Sequence, residues 1–242
     1  MTAVVEVKNL NLIYRVLRNR TGSLKELLRD TVKGRVRIQN YVALKDVSFC
    51  VSRGEVLAII GGNGAGKSTL LKVLARVLPP TSGVAEVQGS IAPMIELGAG
   101  FHPEMTGSEN IIFYSALLGR SVKRVKSRLN DIANWAGVAD HTDFPLRTYS
   151  SGMIARLAFA TAMDEKSDLI LIDEVLSVGD NNFRNKSRAK ILEMIDAGSA
   201  VVLVSHDMTI IRELAHQVLW LENGKIRKIG NPEEVLNEYE KQ

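Results

Sequence analysis

A single cysteine, Cys50, among 242 residues excludes an intrachain disulfide and the disulfide-stapled secreted folds that depend on one. Long apolar runs are missing too. The longest, residues 56–60 and 200–204, fall far short of the roughly 18 residues needed for a membrane-crossing helix. The start, Met1-Thr-Ala-Val-Val-Glu6, has neither the basic residues nor the apolar stretch of a signal peptide. Internal repeats and low-complexity tracts are absent as well. The expectation is a soluble intracellular chain. Its 45% hydrophobic and 24% charged residues exclude a disordered or fibrous class. Its length accommodates one large domain or two small ones with a sizeable core.

The net charge is +4, and it is unevenly placed. Between Arg15 and Arg37 stand eight basic residues (Arg15, Arg18, Arg20, Lys25, Arg29, Lys33, Arg35, Arg37) and two acidic ones (Glu26, Asp30), giving that window +6. The remainder holds 23 basic and 25 acidic residues, or −2. The chain is a slightly acidic body with one basic segment, in which Ser23-Leu-Lys-Glu26 has capping-box spacing and Leu24, Leu27, Leu28 and Val32 share a helical face.

Alternation around Val5 and Val7, and again at Val47, Phe49 and Val51, predicts half-buried strands. The run 56–60 predicts a parallel strand buried on both faces. A glycine-rich loop follows, then a helix over 68–78 stopped by Pro79-Pro80. From Thr106 to Ala162 the pattern is mostly helical, with a capping box at Thr106-Gly-Ser-Glu109 and amphipathic spacing over 122–135. Strand and helix then alternate: strand 169–172, helix 183–195, strand 200–204, helix 208–215. Asn223-Gly224 predicts a hairpin turn, and Asn231-Pro232 the cap and first residue of a last helix.

Gly61-Gly62-Asn63-Gly64-Ala65-Gly66-Lys67-Ser68 matches the phosphate-binding pattern G-x-x-x-x-G-K-[ST] in the strand–loop–helix context that the pattern requires. The glycines let backbone N–H groups converge on phosphates at the positive end of a helix. Lys67 is expected to reach the β- and γ-phosphates and Ser68 to ligate Mg²⁺. The strand at 169–172 ends in Asp173-Glu174. Asp173 is placed to hold Mg²⁺ through water, and Glu174 to orient or deprotonate an attacking water. A third strand end carries Ser205-His206-Asp207, where His206 suits contact with a γ-phosphate.

These residues, with Tyr149-Ser150-Ser151-Gly152-Met153 at a helix start shortly before the Asp173-Glu174 strand, resemble the nucleotide-binding subunits of ABC transporters. The resemblance covers nearly the whole chain and keeps the motif order, although only Ser150 and Gly152 match the Leu-Ser-Gly-Gly-Gln signature. It implies that Ser150, Ser151, Gly152 and Met153 bind ATP held by a second subunit. It also implies that Asp180, in Ser177-Val-Gly-Asp180, belongs to the D-loop, and that His206 is the switch histidine. Catalysis then falls to Glu174 and His206, and ATP binding to Gly61–Ser68 together with Thr69.

Where most relatives have a Mg²⁺-sensing Gln, this chain has Glu96, in Ile95-Glu-Leu-Gly-Ala-Gly-Phe-His-Pro-Glu-Met-Thr-Gly107. Glu96 joins Ser68 and Asp173 as a metal-ligand candidate. That segment resembles the branch exporting O-antigen, capsule, teichoic acid or similar glycans. An adenine-stacking aromatic is expected at Tyr14, with Tyr41 competing and a partly buried strand tyrosine as the plainer reading. Trp135 and Trp220 read as core. His102, His141 and His216 lack metal-ligand spacing with Cys50, so zinc is not expected.

The fold implied is α/β: a P-loop NTPase (RecA-like) core with an antiparallel β subdomain and an inserted α-helical subdomain. The whole of 1–242 forms one ATPase domain: core plus β subdomain at 1–94 and 166–242, helices at 95–165, and a basic insertion at 15–40. ATP and Mg²⁺ are the implied ligands. The implied partners are a second copy and an integral membrane subunit that handles lipid-linked polysaccharide, at the cytoplasmic face of the cell membrane. Competing readings are an ABC-type ATPase acting on nucleic acid, a P-loop small-molecule kinase, and an ABC ATPase for another cargo. The basic segment lacks the interleaved aromatics of a base-stacking surface, so no nucleic acid is expected. That segment reads either as a solvated helix packed on the domain or as a surface facing anionic lipid.

Overall fold

Every position of strand β3 (Val56–Ile60) is apolar and buried, the pattern of a parallel strand covered on both faces. In a computed structural model of the chain, which describes residues 3–17, 38–95, 98–173 and 180–241, this strand is central to a sheet. The order is β5 (Ile91–Met94), β6 (Leu169–Asp173), β7 (Ala200–Val204), β3, β8 (Gln217–Glu222), β9 (Lys225–Gly230). Neighbours from β5 to β8 pair parallel, and β8 pairs antiparallel with β9. Because β3, β6 and β7 are parallel neighbours in the order β6–β7–β3, their carboxyl ends share one edge, where ligands bind in such sheets.

Alternation along these strands divides the core. Leu57, Ile59, Leu169, Leu171, Val202 and Val204 point to one side, where they meet helix α1 (Lys67–Leu74) and a second sheet. That sheet is antiparallel, ordered β2 (Ile38–Ser52), β1 (Ala3–Leu17), β4 (Ser82–Val87). Val56, Ile170, Ile172, Val201 and Leu203 point to the other side, against Phe159, Phe183 and Met194. Each fully buried aliphatic side chain of this kind stabilises by about 1.5–3 kcal/mol.

Helices α2 (Gly107–Leu117), α3 (Val122–Ala136) and α4 (Ser151–Ala162) share their own cluster around Ile111, Val125, Ile132, Leu146 and Leu157. The Arg120 guanidinium ties the α2–α3 connection to the end of α4 by donating to the carbonyls of Thr161 and Ala162. Burial lowers its pKa, which neighbouring Glu165 and Asp164 partly restore. Helix α5 (Asn181–Asp196) precedes β7, α6 (Met208–Leu214) follows it, and α7 (Pro232–Tyr239) closes the described chain against β8.

The α/β P-loop reading holds, with local differences. β1 and β2 are each 15 residues long, well beyond the alternating cores seen in the sequence, because together they form one long hairpin. Helix α1 ends at Leu74 rather than Leu78. Arg76 adopts φ 60°, its N–H bonding Val73 O at 3.0 Å while Val77 N–H bonds Lys72 O at 2.9 Å. That is a Schellman closure built without glycine, and the Arg76 side chain donates to Val87 O. β4 and β5 carried no clear signal: β4 is mostly exposed, and β5 has Pro93, tolerated because the strand lies at the sheet edge. The basic segment lies outside the described residues, apart from its ends on β1 and β2. Among the described residues no helix is long and apolar enough to cross a membrane.

Candidate nucleotide site

The loop between β3 and α1 is shaped by glycines that nothing larger could replace. A Cβ on Gly61 would stand 2.1 Å from Leu221 O, and one on Gly66 would stand 2.7 Å from Ala43 O. Gly62 and Gly64, in contrast, face open space on the outer side of the loop. Gly66, at φ 106°, precedes α1 and supplies no side-chain cap. The first turn of α1 thus offers backbone N–H groups at the positive end of a helix, the arrangement that suits an anion.

Lys67 is buried, and its ammonium donates to Gly61 O at 2.7 Å and Gly62 O at 3.1 Å. The cation thus sits inside the cradle formed by the loop. Ser68, exposed, is the second residue of α1, and half-buried Asp173 ends β6. Hydroxyl and carboxylate oxygens are the donors Mg²⁺ prefers, so these residues fit a Mg²⁺–triphosphate. Glu174 and Glu96, with Ser177 and Gly179, lie outside the described residues.

A cleft of about 240 Å³ runs along this loop, lined by Asn63–Thr69 and by Tyr41 and Ala43 of β2. Tyr41 is 55% exposed. Tyr14, its cross-strand partner on β1, instead packs against the core, with its hydroxyl 3.5 Å from Thr69 Oγ1. Of the two tyrosines, it is Tyr41 that borders the cleft. The sequence reading expected the adenine at Tyr14; the structure pairs the two across the strands and sets Tyr14 toward the core instead.

Ser150 caps α4, its Oγ accepting from Met153 N–H at 3.2 Å. The preceding Tyr149 is buried and donates to His141 O at 2.6 Å. Burial, followed by the charge of Asp143, holds its pKa above the usual phenol value. That anchor fixes the turn, leaving Ser150 and Ser151 exposed, while a Cβ on Gly152 would meet only Ser150 Oγ, at 3.9 Å. None of Ser150–Met153 lines the cleft at the phosphate loop.

His206 is exposed on a separate cleft of about 360 Å³, together with Ser205, Asp207, Arg184, Asn185 and Arg188. Asp207 caps α6 by accepting from Thr209 and Ile210 N–H, and Asp180 caps α5 by accepting from Phe183 N–H at 2.8 Å. One chain therefore presents a cleft along its glycine-rich loop and, apart from it, a capped serine-glycine turn. Three histidines have structural partners: His216 Nδ1 accepts from Val56 N–H, His102 Nδ1 from Glu104 N–H, and His141 packs on Tyr149. Trp220 is core, and Trp135 stacks on Phe159.

Comparison with known proteins shows which family the chain resembles. Residues 44–177 match the family described as ABC transporter. The O-antigen export system ATP-binding protein RfbB of Klebsiella pneumoniae is 38% identical over 245 residues, a match covering 99% of this chain and 98% of the relative. The teichoic acids export ATP-binding protein TagH of Lactococcus lactis is 40% identical over 84% of this chain, which spans 43% of that relative. A solved dimeric ATP-binding cassette in a post-hydrolysis state, bound to ADP and Pi, superposes with a TM-score of 0.75 at 20% identity, covering 94% of this chain and 98% of that one.

Proposed function

The chain belongs to the ABC transporter family, and on that premise we propose that this ATPase powers export of a lipid-linked cell-envelope glycan through a separate membrane subunit. The observation that carries the glycan reading is the near-full-length match to an O-antigen export ATP-binding protein; the teichoic acid relative points the same way.

In this reading ATP lies along the cleft of the phosphate loop. Tyr41 supports the base, the N–H groups of Gly62–Thr69 and the Lys67 ammonium hold the phosphates, and Ser68 with Asp173 holds Mg²⁺. When bound, Mg²⁺ would neutralise charge on the phosphates that these residues hold. The serine-glycine turn at Ser150–Gly152 lies outside the cleft of its own chain, which supports its use on ATP held by a second copy. Two chains then close over two ATPs. Glu174 orients and deprotonates the attacking water, and His206 and Asp180 act at the γ-phosphate and the dimer seam. Loss of the γ-phosphate removes the contact that favours closure, and the pair reopens. The peripheral position, at the cytoplasmic face of the membrane, follows from ATP supply. Glu96 is the remaining Mg²⁺-ligand candidate.

The experiment is purification from native membranes, with identification of the bound membrane protein and lipid-linked sugar, and ATP turnover with and without Glu174→Gln. The expected result is a glycan-exporter membrane subunit and loss of turnover with ATP binding retained. Unchanged turnover would remove Glu174 from catalysis, and a nucleic acid or an unrelated permease as the co-purifying partner would overturn the glycan reading.

A further inference from the structure

The turn between β8 and β9 is a two-residue hairpin, Asn223 at φ 49° and Gly224 at φ 75°, flanked by the pair Glu222–Lys225, the primed geometry that suits twisted strands. A hairpin tip of this kind is usually free surface. Here Gly224 is buried. Its N–H donates to Ala65 O of the phosphate loop at 3.0 Å, and its own carbonyl accepts from Lys45 N–H of β2 at 2.8 Å. A Cβ on Gly224 would lie 2.6 Å from Ala43 O and 3.3 Å from Leu44 Cα. The same backbone meets the loop glycines: Gly61 is in contact with Leu221 O, and Gly66 with Ala43 O and the side chains of Leu44 and Leu221. Phosphate loop, β2 and hairpin thus touch backbone to backbone at three glycines. Two residues before Ala43 on β2 stands Tyr41, on the base side of the cleft.

We propose that the Asn223-Gly224 turn is a positioning element of the nucleotide site, a strut that fixes the spacing between the phosphate loop and the β2 segment carrying Tyr41. It touches no ligand itself. Held at one separation, the base and phosphate subsites act on a single nucleotide at once; with the strut displaced, each subsite keeps its own residues but loses its register with the other. The inference deepens the nucleotide reading of the preceding section and rests on it.

The test is calorimetric titration of the full chain with ATP and, separately, with inorganic tripolyphosphate. Gly224→Ala is compared with Gly119→Ala, which places alanine at an equally left-handed φ of 76° with nothing within 4 Å. A second variant, one glycine inserted after Gly224, lengthens the strut without adding a side chain and carries the test should Gly224→Ala fail to fold. Both turn variants should bind ATP about tenfold more weakly, the scale of one well-placed hydrogen bond lost. Tripolyphosphate affinity should fall by less than about threefold, and Gly119→Ala should match the wild type in both titrations. Equal losses for ATP and tripolyphosphate, or wild-type ATP affinity in the turn variants, would overturn the proposal. A wild-type chain that binds no ATP would instead sink the nucleotide reading itself.

Discussion

Replacing Tyr41 with alanine separates it from Tyr14, the tyrosine at which the sequence reading expected the adenine. Tyr41 is 55% exposed, so its removal should leave folding stability within about 0.5 kcal/mol of the wild type. If it carries the adenine, truncation costs about 1–3 kcal/mol of stacking per base. At 1.4 kcal/mol per decade, that is an ATP affinity roughly 5- to 150-fold weaker. Tyr14→Ala should behave differently. Tyr14 packs against the core, and losing a half-buried ring costs about 2 kcal/mol, roughly half of what a fully buried aromatic costs; ATP affinity should fall less than the melting temperature suggests. The assay pairs thermal melting with ATP titration for Tyr41→Ala, Tyr41→Phe and Tyr14→Ala. Tyr41→Phe, which keeps the ring, should bind as the wild type does. The reasoning fails if Tyr41→Ala binds ATP normally while Tyr14→Ala, still folded, does not.

Asp168 accepts from Ser90 N–H at 2.9 Å and pairs with Arg53 at 2.9 Å. These contacts, the Ser90 backbone bond first, hold its pKa below the usual carboxylate value. Its stabilisation is complete above the unfolded pKa of about 3.9 and is lost as pH falls through the lower folded value. Melting curves between pH 7 and 2 should therefore show Asp168→Asn less stable at neutral pH, by about 1 kcal/mol, and converging with wild type in acid; parallel curves would refute the assignment. Ser150→Ala should cost about 1 kcal/mol of α4 stability through its lost cap. It should reduce turnover while leaving ATP affinity of the dilute chain unchanged, and a weakened affinity there would argue against use of Ser150 in trans. Neutralising Arg15, Arg18 and Arg20 together should impair export more than basal ATP hydrolysis, each charge being worth about 1 kcal/mol near anionic lipid; equal losses of both would favour a purely structural basic segment.

The parts of the fold that the sequence made legible are those where local chemistry and tertiary demand agree. Strands 56–60 and 200–204 match β3 and β7 residue for residue, because burial on both faces leaves no polar position to blur their ends. The capping box at Thr106 and Glu109 forms both of its bonds, and Asn231 caps a helix that opens on Pro232. The misses come from contacts distant in sequence. Arg76 closes α1 early in a conformation usually left to glycine, with its side chain bonded to Val87 O, so no glycine marks the stop. β5 is four residues long and contains a proline, and only its edge position makes it a strand. In the site, the phosphate loop was readable as a motif. The contact of Gly224 with Ala65 O was not, because Asn-Gly announces a turn and says nothing of what the turn leans on.

The separation of the serine-glycine turn from the phosphate cleft also has a kinetic meaning. If each reaction centre takes half its residues from each of two chains, turnover by the isolated protein at concentrations below the dimer dissociation constant rises with the square of concentration. If the chains dock in pairs on a membrane partner, they face one another at an effective concentration on the order of millimolar, and the reaction becomes first order in the assembly. On that arrangement, dilution alone would suppress hydrolysis by stray subunits.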